Sequence, residues 1–168
     1  MSVLVDFSMT NEQKHKLDKL DRNILRELQK DGRITNLELA RRVGLSATPC
    51  LNRVKHLEKT GCIEYYTVRV NPDFVDAKLL VFVEVRLERT SRNVFANFRN
   101  AVRKLPEILE CHLVSGDFDY LLKARVKDMQ AYRTLLGETL LLLPHINSTR
   151  TYMVMESVKE TDIIAIPE

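Results

Sequence analysis

Tryptophan is absent from this chain, and glycine occurs only five times in 168 residues. With glycine this scarce there is no Gly-rich loop to cradle a phosphate and no nucleophile elbow. The three cysteines, Cys50, Cys62 and Cys111, are irregularly spaced and form no CxxC pair. They read as small buried or half-buried residues in a reducing compartment. The four histidines show no HxxxH spacing, so no metal site is expected. No apolar run is long enough to span a bilayer, and the leucines at Leu140–Leu143 fall far short. The first twenty residues are polar and charged, without the apolar core of a signal peptide. The expectation is a cytoplasmic protein with no membrane partner.

Strong charge of one sign is also missing, since the net charge is only +3. It is unevenly placed. Residues 1–72 hold 13 Lys/Arg against 9 Asp/Glu, a net +4, whereas residues 73–168 hold 13 against 14, a net −1. This mild basic excess weakly favours a polyanionic partner for the first half.

The hydrophobic period changes near Asn71-Pro72. Before it, Leu17, Leu20, Ile24, Leu25 and Leu28 recur at helical spacing. Asp18 and Asp21 lie at the start of that helix, where they suit its positive end. "KDG" (Lys30–Gly32) ends it. Thr35 with Glu38 has capping-box spacing for a second helix. Gly44-Leu45-Ser46 is a tight turn, and Ser46 caps a third helix with Cys50, Leu51, Val54 and Leu57 as its buried stripe. "CIEYYTVRV" (62–70) is rich in β-branched and aromatic residues. It predicts a short strand or pair of strands beside the helices.

After Pro72 the chain alternates. Leu79, Val81, Val83, Val85 and Leu87 form one face of a strand, with Glu84 and Arg86 on the other. Val94, Phe95, Phe98, Ala101, Val102 and Leu105 make a helical stripe closed by Pro106. "ILECHLV" (108–114) and "YLLKARV" (120–126) are strands around the turn "SGDFD". Met129, Tyr132, Leu136, Leu140 and Leu143 give a second helix, and "STRTYMVME" (148–156) a last strand. The fold class is α+β. A winged helix-turn-helix at residues 13–72 precedes a ferredoxin-like βαββαβ domain at 73–156, with a tail at 157–168. Gly137 falls inside a predicted helix, so either something packs closely there or the helix tolerates it.

Two helices joined by a tight Gly-containing turn place the second helix to enter a DNA major groove. Proline is tolerated in its first turn, because amides there have no intrahelical partner. Ser46, Thr48 and Asn52 are suited to hydrogen bonds with bases or phosphates. Pro49 offers an apolar contact, and Arg53 reaches toward a guanine or phosphate. Arg33, Arg41, Arg42 and Lys55 are candidates for the phosphate backbone, where they fix register without reading sequence.

At these residues a family resemblance becomes clear. "LDKLDRNILRELQKDGRITNLELARRVGLSATPCLNRVKHLEKTG" resembles the DNA-binding domain of the Lrp/AsnC (feast/famine) transcription regulators. "LLVFVEVRL", "ECHLVSGDFDYLLKARVKDMQAYRTLLGETLLLLP" and "TRTYMVME" resemble that family's effector-binding domain. The resemblance implies a double-stranded DNA partner and dimers built through the strand-rich domain. It further implies assembly into octamers or larger rings, around which DNA wraps or bends. It implies an amino-acid effector rather than a cofactor, and control of amino-acid metabolism genes. By position it places Leu113, Gly116, Asp117, Asp119, Met129, Tyr152 and Val154 in the effector response. The chemistry is compatible: a carboxylate, Asp117 or Asp119, pairs with an ammonium, and Leu113, Met129 and Val154 wall an aliphatic side chain.

Rivals from other classes are weaker. Asp117 and Asp119 form an acid pair at a turn, but no nearby His or Lys pattern accompanies them, so no enzyme and no catalytic residue is expected. The βαββαβ order also belongs to RNA-recognition modules, yet "YLLKARV" lacks their aromatics. An architectural, nucleoid-associated DNA-bending protein with little effector control is the alternative that shares this fold.

Overall fold

The computed structural model describes residues 16–88 and 93–167, so residues 13–15 of the expected helix-turn-helix domain lie outside it. The chain divides into two compact units. One runs to Val68 and takes back the tail from Thr161; the other is Arg69–Glu160.

In the first unit, α1 (Lys19–Lys30) starts from a capping box. Asp21 N–H donates to Asp18 Oδ1 at 2.8 Å, and Asp18 N–H donates to Asp21 Oδ2 at 3.2 Å. Such a cap stabilises a helix by about 1 kcal/mol. α2 (Asn36–Val43) is capped by Thr35, whose hydroxyl accepts from Glu38 N–H at 3.3 Å. It ends at Gly44, which turns left-handed at φ 71°, while Leu45 N–H returns to Ala40 O at 2.9 Å. Any residue with a Cβ is strained in that conformation. The reversal lets α3 (Ala47–Lys59) begin three residues later. Ile24, Leu39, Ala40, Val43, Cys50 and Leu57 form the buried core between the three helices. Leu51, expected in that core, is 39% exposed. At 100° per residue it lies off the stripe through Cys50, Val54 and Leu57.

The strand expected at 62–70 does not form. Among these residues only Ile63 packs against the helical core, and Cys62, Tyr65, Tyr66, Val68 and Val70 are exposed. The composition favours a ladder, but among the described residues of this unit no strand lies alongside, and a strand needs one. Cys62 is therefore neither buried nor half-buried as expected, while Cys50 is buried and Cys111 partly so.

In the second unit, β1 (Leu79–Leu87), β2 (Ile108–Leu113), β3 (Tyr120–Val126) and β4 (Ile146–Met153) form one antiparallel sheet in the order β2-β3-β1-β4. This is the ferredoxin-like arrangement. Its core consists of Val81, Val83, Val85 and Leu87 of β1, Tyr120, Leu122, Ala124 and Val126 of β3, and two helical segments. These are α4 (Val94–Val102), through Val94, Phe98 and Val102, and α5 (Met129–Thr134) with its continuation, through Tyr132, Leu135 and Leu140. α5 runs into one π-helical turn, Leu135–Thr139. Gly137 sits there, exposed, and a Cβ added to it would meet nothing within 4 Å. Close packing within the described chain is thus not the reason for this glycine.

The tail docks on α1 by polar contacts. Arg26 Nη2 donates to Ile166 O at 3.1 Å and to Pro167 O at 2.8 Å. The Gln29 amide both donates to Ile164 O (3.0 Å) and accepts from Ile164 N–H (2.8 Å), as a neighbouring strand would. We predict that the double variant Arg26→Ala/Gln29→Ala speeds exchange of the slow α1 amides by about tenfold. Exchange in β1 and β3 should not change. Hydrogen-exchange mass spectrometry checks this.

Candidate functional site

The outer face of α3 has the small, polar make-up expected from sequence. Ser46, Thr48, Pro49, Asn52 and Lys55 are all exposed, while Cys50 and Leu57 are fully buried on the opposite side. Ser46 is the N-cap by backbone conformation, yet its side chain makes no capping bond. The first intrahelical bond runs from Cys50 N–H to Ser46 O at 3.2 Å. Pro49 precedes it, so its missing N–H leaves no helical bond unmade. The start of α3 is fixed from α2, where Asn36 Nδ2 donates to Ala47 O at 2.9 Å.

Arg53 is placed otherwise than expected. Its Nη1 donates to Asp18 Oδ2 and Asp21 Oδ1, each at 2.7 Å. Both carboxylates already serve the α1 capping box through their other oxygen, so the guanidinium closes a four-bonded cluster. Asp21 is only 3% exposed. The Asp21 N–H first, and Arg53 after it, hold the Asp18 carboxyl below its usual range. Arg53 thus ties α3 to α1 while its side chain stays 32% exposed. The reason is positional: it falls between Cys50 and Leu57 on the inward stripe, three and four residues from them.

Arg41 and Arg42 are exposed but paired. Arg41 Nη2 lies 2.7 Å and Arg42 Nε 2.8 Å from Glu38 Oε1, and Arg42 Nη1 is 3.1 Å from Glu27 Oε2. The bonds from Arg41 and then Arg42 hold the Glu38 carboxyl down at about 2. Arg33 and Lys55 are exposed and have no ion pair among the described residues. The sequence reading missed Asp18 and Asp21 as partners of α3, and Asn36. The Cys50–Arg53–Leu57 spacing was the available signal for the first two.

In the sheet unit, the turn Ser115–Asp119 joins β2 to β3. Gly116 adopts φ 149°, which L residues rarely do. The two acids part company here. Asp119 Oδ2 accepts from Leu87 N–H at 2.8 Å, Asp119 N–H donates to Val85 O, and Asp119 O accepts from Val114 N–H. It therefore fastens the turn to β1. Asp117 is exposed and lines an open hollow of about 490 Å³ with Glu84, Arg86, Phe118, Ser148, Thr149 and Arg150. Cations and acids therefore face each other across it. Glu84 and Arg86 were assigned to this outer face by β1 alternation, but not to a site.

The remaining candidates are not brought together in one chain. Leu113 ends β2 and Tyr152 lies in β4, the two opposite edges of the sheet, about 14 Å apart at usual strand spacing. Tyr152 donates its hydroxyl to Glu84 Oε1 at 2.8 Å. Val154 follows β4, with its N–H on Leu80 O. Met129 lines a second open hollow with Gln130, Arg133, Thr134, Gly137 and Glu138. Leu113, Met129 and Tyr152 are 54, 44 and 45% exposed. Among the described residues no cluster of three His, Cys, Asp or Glu side chains is placed to hold a metal ion. No helix there is long and apolar enough to cross a membrane.

Comparison with known proteins agrees with this geometry. Residues 17–64 match the family model "Winged helix-turn-helix DNA-binding", and residues 80–164 match "Lrp/AsnC ligand binding domain". The leucine-responsive regulatory proteins of Klebsiella pneumoniae and Escherichia coli K12 are 65% identical over 150 residues, 89% of this chain and 92% of theirs. A transcriptional regulator of Neisseria meningitidis, solved as a complex with L-Met, superposes with a TM-score of 0.85 at 37% identity. That match covers 89% of this chain and 97% of the other. An AsnC family regulator of Agrobacterium tumefaciens gives 0.84 at 35%, over 89% of this chain and 97% of that one. The chain belongs to the Lrp/AsnC family of transcription regulators, with a DNA-binding helix-turn-helix followed by a ligand-binding domain.

Proposed function

We propose that this protein is a cytoplasmic, sequence-specific DNA-binding regulator whose DNA affinity or assembly responds to an aliphatic amino acid. Its targets are then genes of amino-acid metabolism. The observation that carries this reading is the exposed first half of α3, small and polar, on a helix whose other side is buried. A helix presented in this way fits a major groove, with Thr48 and Asn52 toward base edges and Pro49 against a thymine methyl. Ser46, Lys55 and Arg33 then serve phosphates. Arg41 and Arg42 serve them only by exchanging Glu38 and Glu27 for the duplex.

For the effector we assign the ammonium to Asp117 rather than Asp119, whose Oδ2 is already taken by the Leu87 N–H. Leu113, Met129 and Tyr152 offer apolar surface that one chain leaves scattered and exposed, and Val154 is half-buried. We infer that the site is completed between copies, with Gly116 letting a backbone approach. The working form is then a dimer or a larger ring such as an octamer. The relatives named for leucine and the neighbour solved with L-Met favour an unbranched or γ-branched aliphatic ligand.

We expect Thr48→Ala and Asn52→Ala each to weaken binding to the specific site about tenfold while binding to random duplex stays level. Lys55→Ala should weaken both and reduce the slope of log K against log salt by about one. Anisotropy titrations at several salt concentrations decide this, and unchanged slopes and affinities would refute the assignment. For the effector, Asp117→Asn should weaken leucine binding at least tenfold in calorimetry and leave effector-free DNA affinity within about twofold. Leucine binding equal to the parent would remove Asp117 from the site. Asp119→Asn should instead lower the melting temperature of the sheet domain, because it disturbs the acceptor for Leu87.

A further inference from the structure

Two acids and one arginine in the helical unit are not explained by contact with DNA. Asp18 and Asp21 flank the first turn of α1, and Arg53 lies mid-way along α3. Arg53 Nη1 reaches both acids at 2.7 Å, and each acid spends its second oxygen on a backbone N–H of the α1 cap. The start of α1 and the middle of α3 are therefore held by one cluster in which every carboxylate oxygen has a donor. Asn36 on Ala47 O holds the start of α3 independently. Two fixed points along a helix set both its tilt and its roll, and roll decides which side chains meet a groove.

We propose that Arg53 is a positioning residue for DNA reading. It acts through Asp21 and Asp18 to set the roll of α3 and does not itself contact the duplex. This rests on the reading of α3 as the helix that meets DNA. Asp21 is 3% exposed, so it cannot touch a nucleic acid. An ordinary electrostatic effect and the positioning effect then have opposite signs. Removing a negative charge near a bound polyanion strengthens binding by simple Coulomb attraction. Loosening the cluster lets α3 roll and weakens binding.

The test is Asp21→Asn and Arg53→Ala in the full-length protein, titrated against specific duplex over a salt series. Thr48→Ala and Asn52→Ala serve as controls, and circular dichroism verifies the fold at the assay temperature. The expected result is that both lock variants lose about tenfold in specific affinity with unchanged salt slopes, because the number of phosphate contacts is unchanged. If Asp21→Asn unfolds the helical unit, Asp18→Asn, on the exposed half of the cluster, must show the same weakening. Equal or tighter binding by Asp21→Asn or Asp18→Asn, with a slope lowered by about 0.9 for Arg53→Ala, would overturn the proposal and make Arg53 a phosphate ligand. No loss for Thr48→Ala and Asn52→Ala would overturn the α3 reading itself.

Discussion

A carboxylate almost fully withdrawn from water, that of Asp21, sits at the start of α1 and is bridged by Arg53 to α3. A buried acid needs a donor for each oxygen and a nearby positive charge. Here the N–H of the N-cap residue Asp18 supplies one donor, and Arg53 supplies another together with the charge. The apolar core of Ile24, Leu39, Val43, Cys50 and Leu57 gives the unit its stability, but apolar contacts are non-directional. The ion cluster adds direction, and with Asn36 it gives α3 a defined face toward solvent. The composition of that face, small and polar with Pro49 in the first turn, becomes meaningful only because its orientation is held.

The sheet unit follows a different logic. β1 lies inside the sheet, buries Val81, Val83, Val85 and Leu87 against the helices, and offers Glu84 and Arg86 on the other side. Asp119 fastens the β2–β3 turn to the end of β1, so the turn that carries Asp117 is anchored to a central strand of the sheet. Of the apolar groups proposed for the effector, Leu113 and Tyr152 lie on opposite edges of the sheet and Met129 on α5, all three exposed. Under the proposed reading, an effector that gathers them brings in a second copy, and ligand binding is then tied to assembly.

Most of the architecture was legible in sequence. The alternation of Val81, Val83, Val85 and Leu87 with Glu84 and Arg86, and of Leu122, Ala124 and Val126 with Lys123 and Arg125, marks strands, and the stripes of α1 and α4 mark helices. The misreadings share one cause, which is that composition reports what a segment suits but not what lies beside it. "CIEYYTVRV" has strand composition but no neighbouring strand among the described residues. Leu51 is apolar but points away from the core. Arg53 and Asp119 each also hold partners within the fold, which composition does not reveal. For Arg53 the three-and-four spacing from Cys50 and Leu57 already marked the inward face. For Asp119 no sequence signal distinguished it from Asp117, because the difference lies in a backbone amide 32 residues away.

The central claim is that one molecule joins sequence-specific DNA reading to amino-acid sensing. The most direct measurement is fluorescence anisotropy of the full-length protein at one fixed salt. It should use the duplex upstream of its own coding sequence and a random duplex of equal length, each with and without leucine and methionine. The account predicts at least a hundredfold preference for the specific duplex, roughly the low end for specific DNA-binding proteins, and a shift of that affinity by one aliphatic amino acid. Equal affinity for both duplexes, unmoved by either amino acid, would contradict it and leave an architectural DNA-bending protein in its place.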